Sequence, residues 1–421
     1  MTNMQVILGG TVIDGFGGDP IDKGVVLIED GKITKVGREG SFQVPREAEA
    51  IDAAGHTVMP GIIDCHVHGT YRARDVRQHL LNSPTYNVLR STKIIEETLA
   101  CGVTTARDMG GADAGFRQAI EEGIIDGPRL QVSIAMISQT GGQGDYWVPA
   151  GMRIPKRTWL PDGVADGVDG VRRLVRQLLM AGADFIKICA TGGITSVTDS
   201  WDEPQFTVEE LRCAVEEAGA KRKPVAVHAE GVAGIRTALE AGVHSLEHGW
   251  FIDEQCIDSM VEQGTWWVPT LALVPMSIEH RKADPAWGKQ QLGDEAQKDA
   301  EIHHKMQTEQ FAIWREAVRR GVKIAMGTDQ SHRLLVGENL VELRFMVDYL
   351  GMSPMEVLVA ATSKAAECIG RSDLGALAPG KLADVLVVEG DPLQDISILE
   401  ERDRIKTVMK QGSIYNKTTR I

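Results

Sequence analysis

Short apolar runs alternate with helix-like stretches through the middle of this chain, and that alternation limits the fold more than any other feature. The runs are Val58 to Ile63, Val103 to Ala106, Leu130 to Ala135, Phe185 to Cys189, Val225 to Val227, Ser245-Leu246, Trp266 to Val268 and Ile324 to Met326. Segments such as Val171 to Met180 and Val208 to Ala218 separate them. About eight strand–helix units over roughly 300 residues match an α/β chain folded as a (β/α)8 TIM barrel. A doubly wound open sheet is the rival, but no glycine-rich nucleotide loop follows the first strand. Met276 to Glu309 is long, charged and helix-compatible, and reads either as an inserted lid or as an exposed helix.

The two ends of the chain follow another pattern. Val6 to Leu8, Thr11 to Ile13, Gly24 to Ile28 and Ile33 to Val36 are short β-rich runs joined by turns. Asp30-Gly31 between two of them is a strong hairpin signal. Asp384 to Val388, a Gly390-Asp391-Pro392 turn and Ile405 to Met409 repeat the pattern at the other end. The reading is therefore a composite module, 1–58 with 370–421, built as a small β-sandwich around a barrel domain at 59–369.

At 421 residues the chain is too long for one small core. It has no apolar run of about 18 residues, so no membrane partner is expected. Met1 to Pro20 lacks a basic start followed by an apolar core, which predicts a cytoplasmic protein. A formal charge of −14 argues against nucleic acid or an anionic membrane and leaves a small-molecule substrate. Cys65, Cys101, Cys189, Cys213, Cys256 and Cys368 form no C-x-x-C pair, which fits reduced, mostly buried thiols.

Chemistry concentrates at the strand ends. His66 and His68 are two residues apart after an apolar run, so on a strand both imidazoles face one way and can reach one ion. Their position at the end of the first barrel strand adds weight, because catalytic groups gather at that mouth. Lys187 in Phe185-Ile186-Lys187-Ile188, His228 after Val225-Ala226-Val227, His248 after Ser245-Leu246-Glu247 and Asp329 after Ile324 to Thr328 hold equivalent places. A buried lysine ordinarily means a lowered pKa or a salt bridge. A neutral Lys187 can instead react with carbon dioxide, and the carbamate offers two oxygens able to bridge two cations. His56, His79, His244, His280, His303 and His304 have no such placement and read as structural or exposed.

The sequence resembles the amidohydrolase superfamily over essentially its whole length. Met59 to Asp64 leading into His66-Val67-His68, Gly102 to Thr105, Leu246 to Gly249, Gly327-Thr328-Asp329 and Pro379 to Asp384 carry the resemblance. Ser138 to Gly142 and Lys187 to Gly193 place it beside imidazolonepropionase and the cytosolic Xaa-Pro dipeptidases, or prolidases. The resemblance implies a binuclear site with His66, His68 and Asp329 on one metal, His228 and His248 on the other, and carboxylated Lys187 between. Imidazolonepropionase uses a single metal and lacks the lysine, so Lys187 points toward the two-metal peptidases. Two positions depart from the branch: Gln143 stands where histidine often follows Thr-Gly-Gly, and Glu230 where tyrosine is frequent. Oligomers are common in these families, so a homo-oligomer is expected.

Two divalent cations, zinc fitting imidazole and carboxylate best, would lower the pKa of a bridging water and polarise the scissile carbonyl. Asp329 is then both ligand and proton carrier to the leaving nitrogen, and Gln143 a candidate for carbonyl stabilisation. For substrate binding, Tyr71, Arg72 and Arg74 follow the first histidine pair, Glu230 can hold an ammonium, and His332 and Arg333 follow Asp329. Trp147 and Trp159 can form an apolar wall. The expected reaction is hydrolysis of an amide bond in a dipeptide or N-acyl amino acid; the alternative substrates are a carbamate, a urea, a lactam or a xenobiotic aryl amide. Deamination fits less well, because the superfamily's deaminases mostly use one metal without the lysine. Six intact ligand positions argue against a non-catalytic scaffold.

Overall fold

A computed structural model describes residues 4–70, 82–145, 147–148, 152–153, 160–194, 196, 199–284, 295–331 and 333–415. Two parallel sheets form its centre. Ile62–Val67, Val103–Asp108 and Arg129–Val132 make the smaller one. Met136–Ile137, Ile186–Cys189, Val225–Ala229, Ser245–His248, Trp266–Val268 and Lys323–Ile324 make the larger, each paired in parallel with its neighbour in the chain. The segment beyond Lys323–Ile324 joins the two. Cys65 N donates to Met326 O and His68 N to Gln330 O, both at 2.9 Å, and Val67 bridges Gln330 in parallel.

Helices alternate with these strands, and their sequences say why. Gly167–Met180 buries Val171, Leu174, Val175 and Leu178, the one-face spacing of an amphipathic helix. Each such side chain contributes roughly 1.5–3 kcal/mol on burial. Val208–Gly219 opens on a reciprocal cap between Thr207 and Glu210, and Pro84–Ala100 on Ser83 with proline at the first turn. The strands are buried on both faces, as parallel strands covered by helices must be.

The chain ends form one eight-stranded sheet. His56–Pro60 pairs with Met4–Val12 on one side and Val385–Glu389 on the other, so the sheet needs both termini. Asp30 and Gly31 take φ of 49° and 76° between Ile21–Glu29 and Lys32–Arg38, as a two-residue hairpin turn requires. The sheet folds back on itself: Ala383 N donates to Gly31 O at 2.9 Å and Gly412 N to Ala383 O at 3.0 Å. Ile7, Val26, Ile28, Val58, Val385, Val387 and Met409 fill the fold. The layered module expected from the ends is thus a single continuous sheet, not two separate ones.

Three expected strands differ. Val58 to Ile63 is two strands broken at Gly61, where an added Cβ would sit 2.3 Å from Thr104 Oγ1. Leu130 to Ala135 is cut by Ile134, whose φ of 71° is a strained choice for a β-branched residue. Ile324 to Met326 contracts to Lys323–Ile324, because Met326 turns its backbone toward Cys65. Met276 to Glu309 is not one exposed helix. It holds Leu273–Ala283, Glu295–Lys305 and a π-helical turn Met306–Gln310, with Met276, Asp299, Ile302, Met306 and Gln310 buried. All six cysteines are free and buried. No helix among the described residues is long and apolar enough to cross a membrane.

Candidate active site

Five of the six predicted ligands converge by direct geometry. His66 and His248 have ring centroids 5.0 Å apart, His66 and His68 5.6 Å, and His228 and His248 4.6 Å. Asp329 Oδ1 lies 3.6 Å from His66 Nε2 and 3.3 Å from His68 Nε2. Ligand atoms of His66, His248 and Asp329 fall within 4.8 Å of one another, as do those of His228, Glu230 and His248. This grouping shares His248 between the two clusters and adds Glu230, unlike the division expected from sequence. His248 and Asp329 both have left-handed backbones, with φ of 67° and 55°. Such conformations persist only where surrounding bonds over-determine them.

Each imidazole has one nitrogen already engaged. His66 Nδ1 meets Glu247 Oε2 at 2.9 Å, His68 Nδ1 the Gly110 carbonyl at 2.9 Å, His228 Nε2 the Gly192 carbonyl at 3.0 Å and His248 Nδ1 Thr270 Oγ1 at 2.7 Å. Of the remaining nitrogens, His68 Nε2 lies against Asp329 Oδ1, and Nε2 of His66 and His248 and Nδ1 of His228 are left for a ligand. Burial and the Lys187 charge push His228 down to about 3, and burial chiefly holds His66 and His248 well below the usual imidazole range. Neutral imidazole is the ligating form. Burial is the largest single influence on His68 and opposes its charge, but the bond to Asp329, the charges of Asp329 and Asp108 and the Gly110 carbonyl together raise its pKa. Burial alone would raise Asp329; the bond to His68 and the charge of His66 hold it well below the usual carboxylate range.

Lys187 is buried on Ile186–Cys189, and its Nζ has no hydrogen-bond partner. Burial lowers its pKa, favouring the free amine. An unpartnered buried amine whose charge reaches His66, His228, His248 and Asp329 fits a two-cation site, since a carbamate formed on it would carry two oxygens able to bind cations there. The donors are imidazole nitrogen and carboxylate oxygen, which suits divalent metals of the zinc type.

Other expected residues divide. Gln143 packs on Gly193, where an added Cβ would lie 2.4 Å from its Nε2, and its buried Oε1 has no partner. Glu230 is buried, with Oε1 3.8 Å from His228 Nε2 and Oε2 accepting from Ile194 N at 3.2 Å. Burial raises its pKa well above the ordinary glutamate value, against the pull of Arg333. Arg333 is itself fully buried and bonds Asp299 on Glu295–Lys305, which also takes Arg281 at 2.5 Å. Lys298 on the same helix donates to Ser196 O at 3.0 Å. The helical insert is therefore docked on the segments that follow the Lys187 strand and Asp329. Tyr71, Arg72, Arg74, Trp159 and His332 lie outside the described residues, as does the Trp147 side chain.

Sequence reasoning assigned no role to Glu247, Arg107 or Asp64. Glu247 accepts from Arg107 at 2.8 Å and Ser245 at 2.6 Å besides meeting His66, and Arg107 also donates to Cys65 O at 2.7 Å. Asp64 accepts from His66 N, Thr328 and Asn339. The available signal was an acid or arginine inside an otherwise apolar strand, the same signal that marked Lys187.

Comparison with known proteins supplies the family. The sequence model described as "Amidohydrolase family" matches residues 57–415, and the chain belongs to that family. Ochratoxinase of Aspergillus niger is 33% identical over 434 residues, covering 98% of this chain and 86% of the relative. Imidazolonepropionase of Geobacillus kaustophilus is 25% identical, over 94% of this chain and 90% of the relative. The crystal structure of a Xaa-Pro dipeptidase with methionine in its active site superposes with a TM-score of 0.86 at 33% identity, over 98% of this chain and 99% of that one. The chain is an amide-bond hydrolase of this family, and the branch expected from sequence is the one its relatives occupy.

Proposed function

We propose that this chain is a two-cation hydrolase that cleaves the amide bond of a dipeptide or N-acyl amino acid. The observation that carries the reading is Lys187 Nζ, buried and without a hydrogen-bond partner, its charge felt by His66, His228, His248 and Asp329. His66, His68 and Asp329 would hold one cation, and His228 and His248 the other. Carboxylated Lys187 would lie between them, and Zn2+ is the metal best matched to these donors. When bound, the cations supply an acidified water and a polarised carbonyl. The central parallel sheets close as a (β/α)8 barrel at 59–369, with 1–58 and 370–421 as its β-module, which sets all six residues at one mouth.

The remaining chemistry belongs to the chain. Asp329, held strongly acidic, takes the proton of the attacking water and passes it to the leaving nitrogen without retaining it. Gln143 donates Nε2 to the carbonyl oxygen as negative charge develops there. Glu230 accepts from an N–H of the substrate, which favours a free amine or amide on the group beside the scissile bond. By sequence position alone, Tyr71, Arg72 and His332 are the further candidates for substrate binding. A xenobiotic aryl amide is the second reading, supported by the equal identity to ochratoxinase and to the Xaa-Pro dipeptidase.

The test is metal content per chain on enzyme prepared with 13C-bicarbonate, alongside turnover of a dipeptide and N-acyl amino acid library. The expected result is about two metals, a labelled carbamate signal absent from Lys187→Ala, and amide turnover. One metal with no carbamate signal would defeat the reading, and turnover of aryl amides alone would select the second one.

A further inference from the structure

The four histidines are not held alike. His66 rests on a carboxylate, His68 and His228 on backbone carbonyls, and His248 on a side-chain hydroxyl, that of Thr270. Thr270 is fully buried and its φ is 48°, a left-handed conformation that a β-branched residue adopts only under constraint. The constraint comes from the next two residues. Leu271 N and Ala272 N donate to Glu342 Oε1 and Oε2 at 2.8 and 2.7 Å. Ala272 stands at the start of Leu273–Ala283 with no side chain able to cap it. Glu342, fully buried on Val341–Leu350, supplies both acceptors from another helix and fixes the turn on which Thr270 sits.

We infer that Thr270 is a positioning residue for the ligand face of His248, and that Glu342 holds it there through the backbone of Leu271 and Ala272. The inference rests on the two-cation reading above. With Nδ1–H of His248 donating to Thr270 Oγ1, the Nε2 atom carries no proton and faces His66 and Asp329. Without the hydroxyl, Nδ1 loses its acceptor, and the tautomer that protonates Nε2, which cannot ligate, gains population. His248 belongs to both clusters of ligand atoms, so its orientation bears on the whole site. The bonds of Thr270 and Glu342 lead to His248, and their effect passes through it.

The experiment compares wild type with Thr270→Val, Thr270→Ser and Glu342→Gln. Each protein is stripped by chelation and titrated with Zn2+ against a chromophoric chelator, with thermal melting of the stripped form as the fold control. Valine keeps the branched shape and removes only the hydroxyl. The expected result is two Zn2+ per wild-type chain and one binding step about 10–100-fold weaker in Thr270→Val at an unchanged melting temperature. Thr270→Ser restores that step, and Glu342→Gln, which leaves one of the two backbone N–H groups without an acceptor, weakens the same one. Unchanged Zn2+ binding in Thr270→Val would overturn the inference while leaving the two-cation reading intact. Should that variant not fold, loss of the step in Glu342→Gln but not in Thr270→Ser decides for the inference, and two normal steps in Glu342→Gln decide against it. A wild-type chain that takes up no zinc would overturn the two-cation reading and this inference together.

Discussion

His66 Nδ1 lies 2.9 Å from Glu247 Oε2, and both side chains are buried. The other oxygen of Glu247 takes Arg107 at 2.8 Å, so one carboxylate orients the His66 imidazole and pairs with a buried guanidinium. Glu247→Gln retains shape but cannot do both. It should weaken metal binding about 10–100-fold. Breaking the buried pair should also remove on the order of 3–5 kcal/mol of stability. Zinc titration and chemical denaturation check the two effects separately, and loss of neither would mean that Arg107 and His66 find other support.

Asp299 ties the helical insert to the segment that follows Asp329. Asp299 is buried between Arg281 and Arg333, from opposite sides of the docking surface. Asp299→Ala removes the carboxylate that both guanidiniums share and is expected to cost about 3–5 kcal/mol. Limited proteolysis should then cut first within 276–310, and an unchanged cleavage pattern would show that the insert is held by its apolar contacts alone.

Gly193 gives access to Gln143 without changing it. An alanine there places Cβ 2.4 Å from Gln143 Nε2, so the amide must move away. If Gln143 stabilises the developing charge, Gly193→Ala and Gln143→Ala should each lower kcat about 100-fold or more, with KM moving less. A Gln143→Ala enzyme with normal kcat would assign the amide to ordering its loop.

Acid stability has a local contribution at Glu217. Its carboxylate bonds Arg176 at 2.8 Å and Arg172 at 3.1 Å, tying Val208–Gly219 to Gly167–Met180, and Arg176 chiefly holds its pKa below the ordinary value. A lowered carboxylate pKa means the unfolded chain binds the proton first. The stabilisation is therefore complete above the ordinary pKa of 4.5 and is lost as pH falls through the folded value. Melting temperatures of wild type and Glu217→Gln should differ near neutral pH and converge in acid. A gap that persists in acid would place the effect in packing.

The sequence made the strand ends legible because their chemistry violates their surroundings. A lysine between isoleucines, or histidine closing a run of valines, stands out without any knowledge of the fold. The end sheet was legible through its turns, Asp30-Gly31 above all. What stayed hidden depends on contacts distant in sequence. Glu247 and His66 are separated by 181 positions, and Asn339 and Asp64 by 275. Neither partner carries a local mark of the other. The break at Ile134 was hidden for the opposite reason, since a β-branched residue argues for a continuous strand and only the tertiary setting forces it out. Of the two readings of 276–309, the exposed helix failed because its charges suggested solvent, whereas Asp299 pairs with Arg281 and Arg333 inside.

Gly61 alone separates the strand His56–Pro60 of the end sheet from Ile62–Val67, which carries His66. A connection of one residue has no slack to absorb a slip. Strand side chains alternate in phase with every residue, so displacing either pairing by one position would turn His66 away from the site. The register with Val385–Glu389 and the register with Val103–Asp108 must therefore be correct together. A shift in how the chain ends pair would therefore reach His66 and His68 through a single residue of backbone.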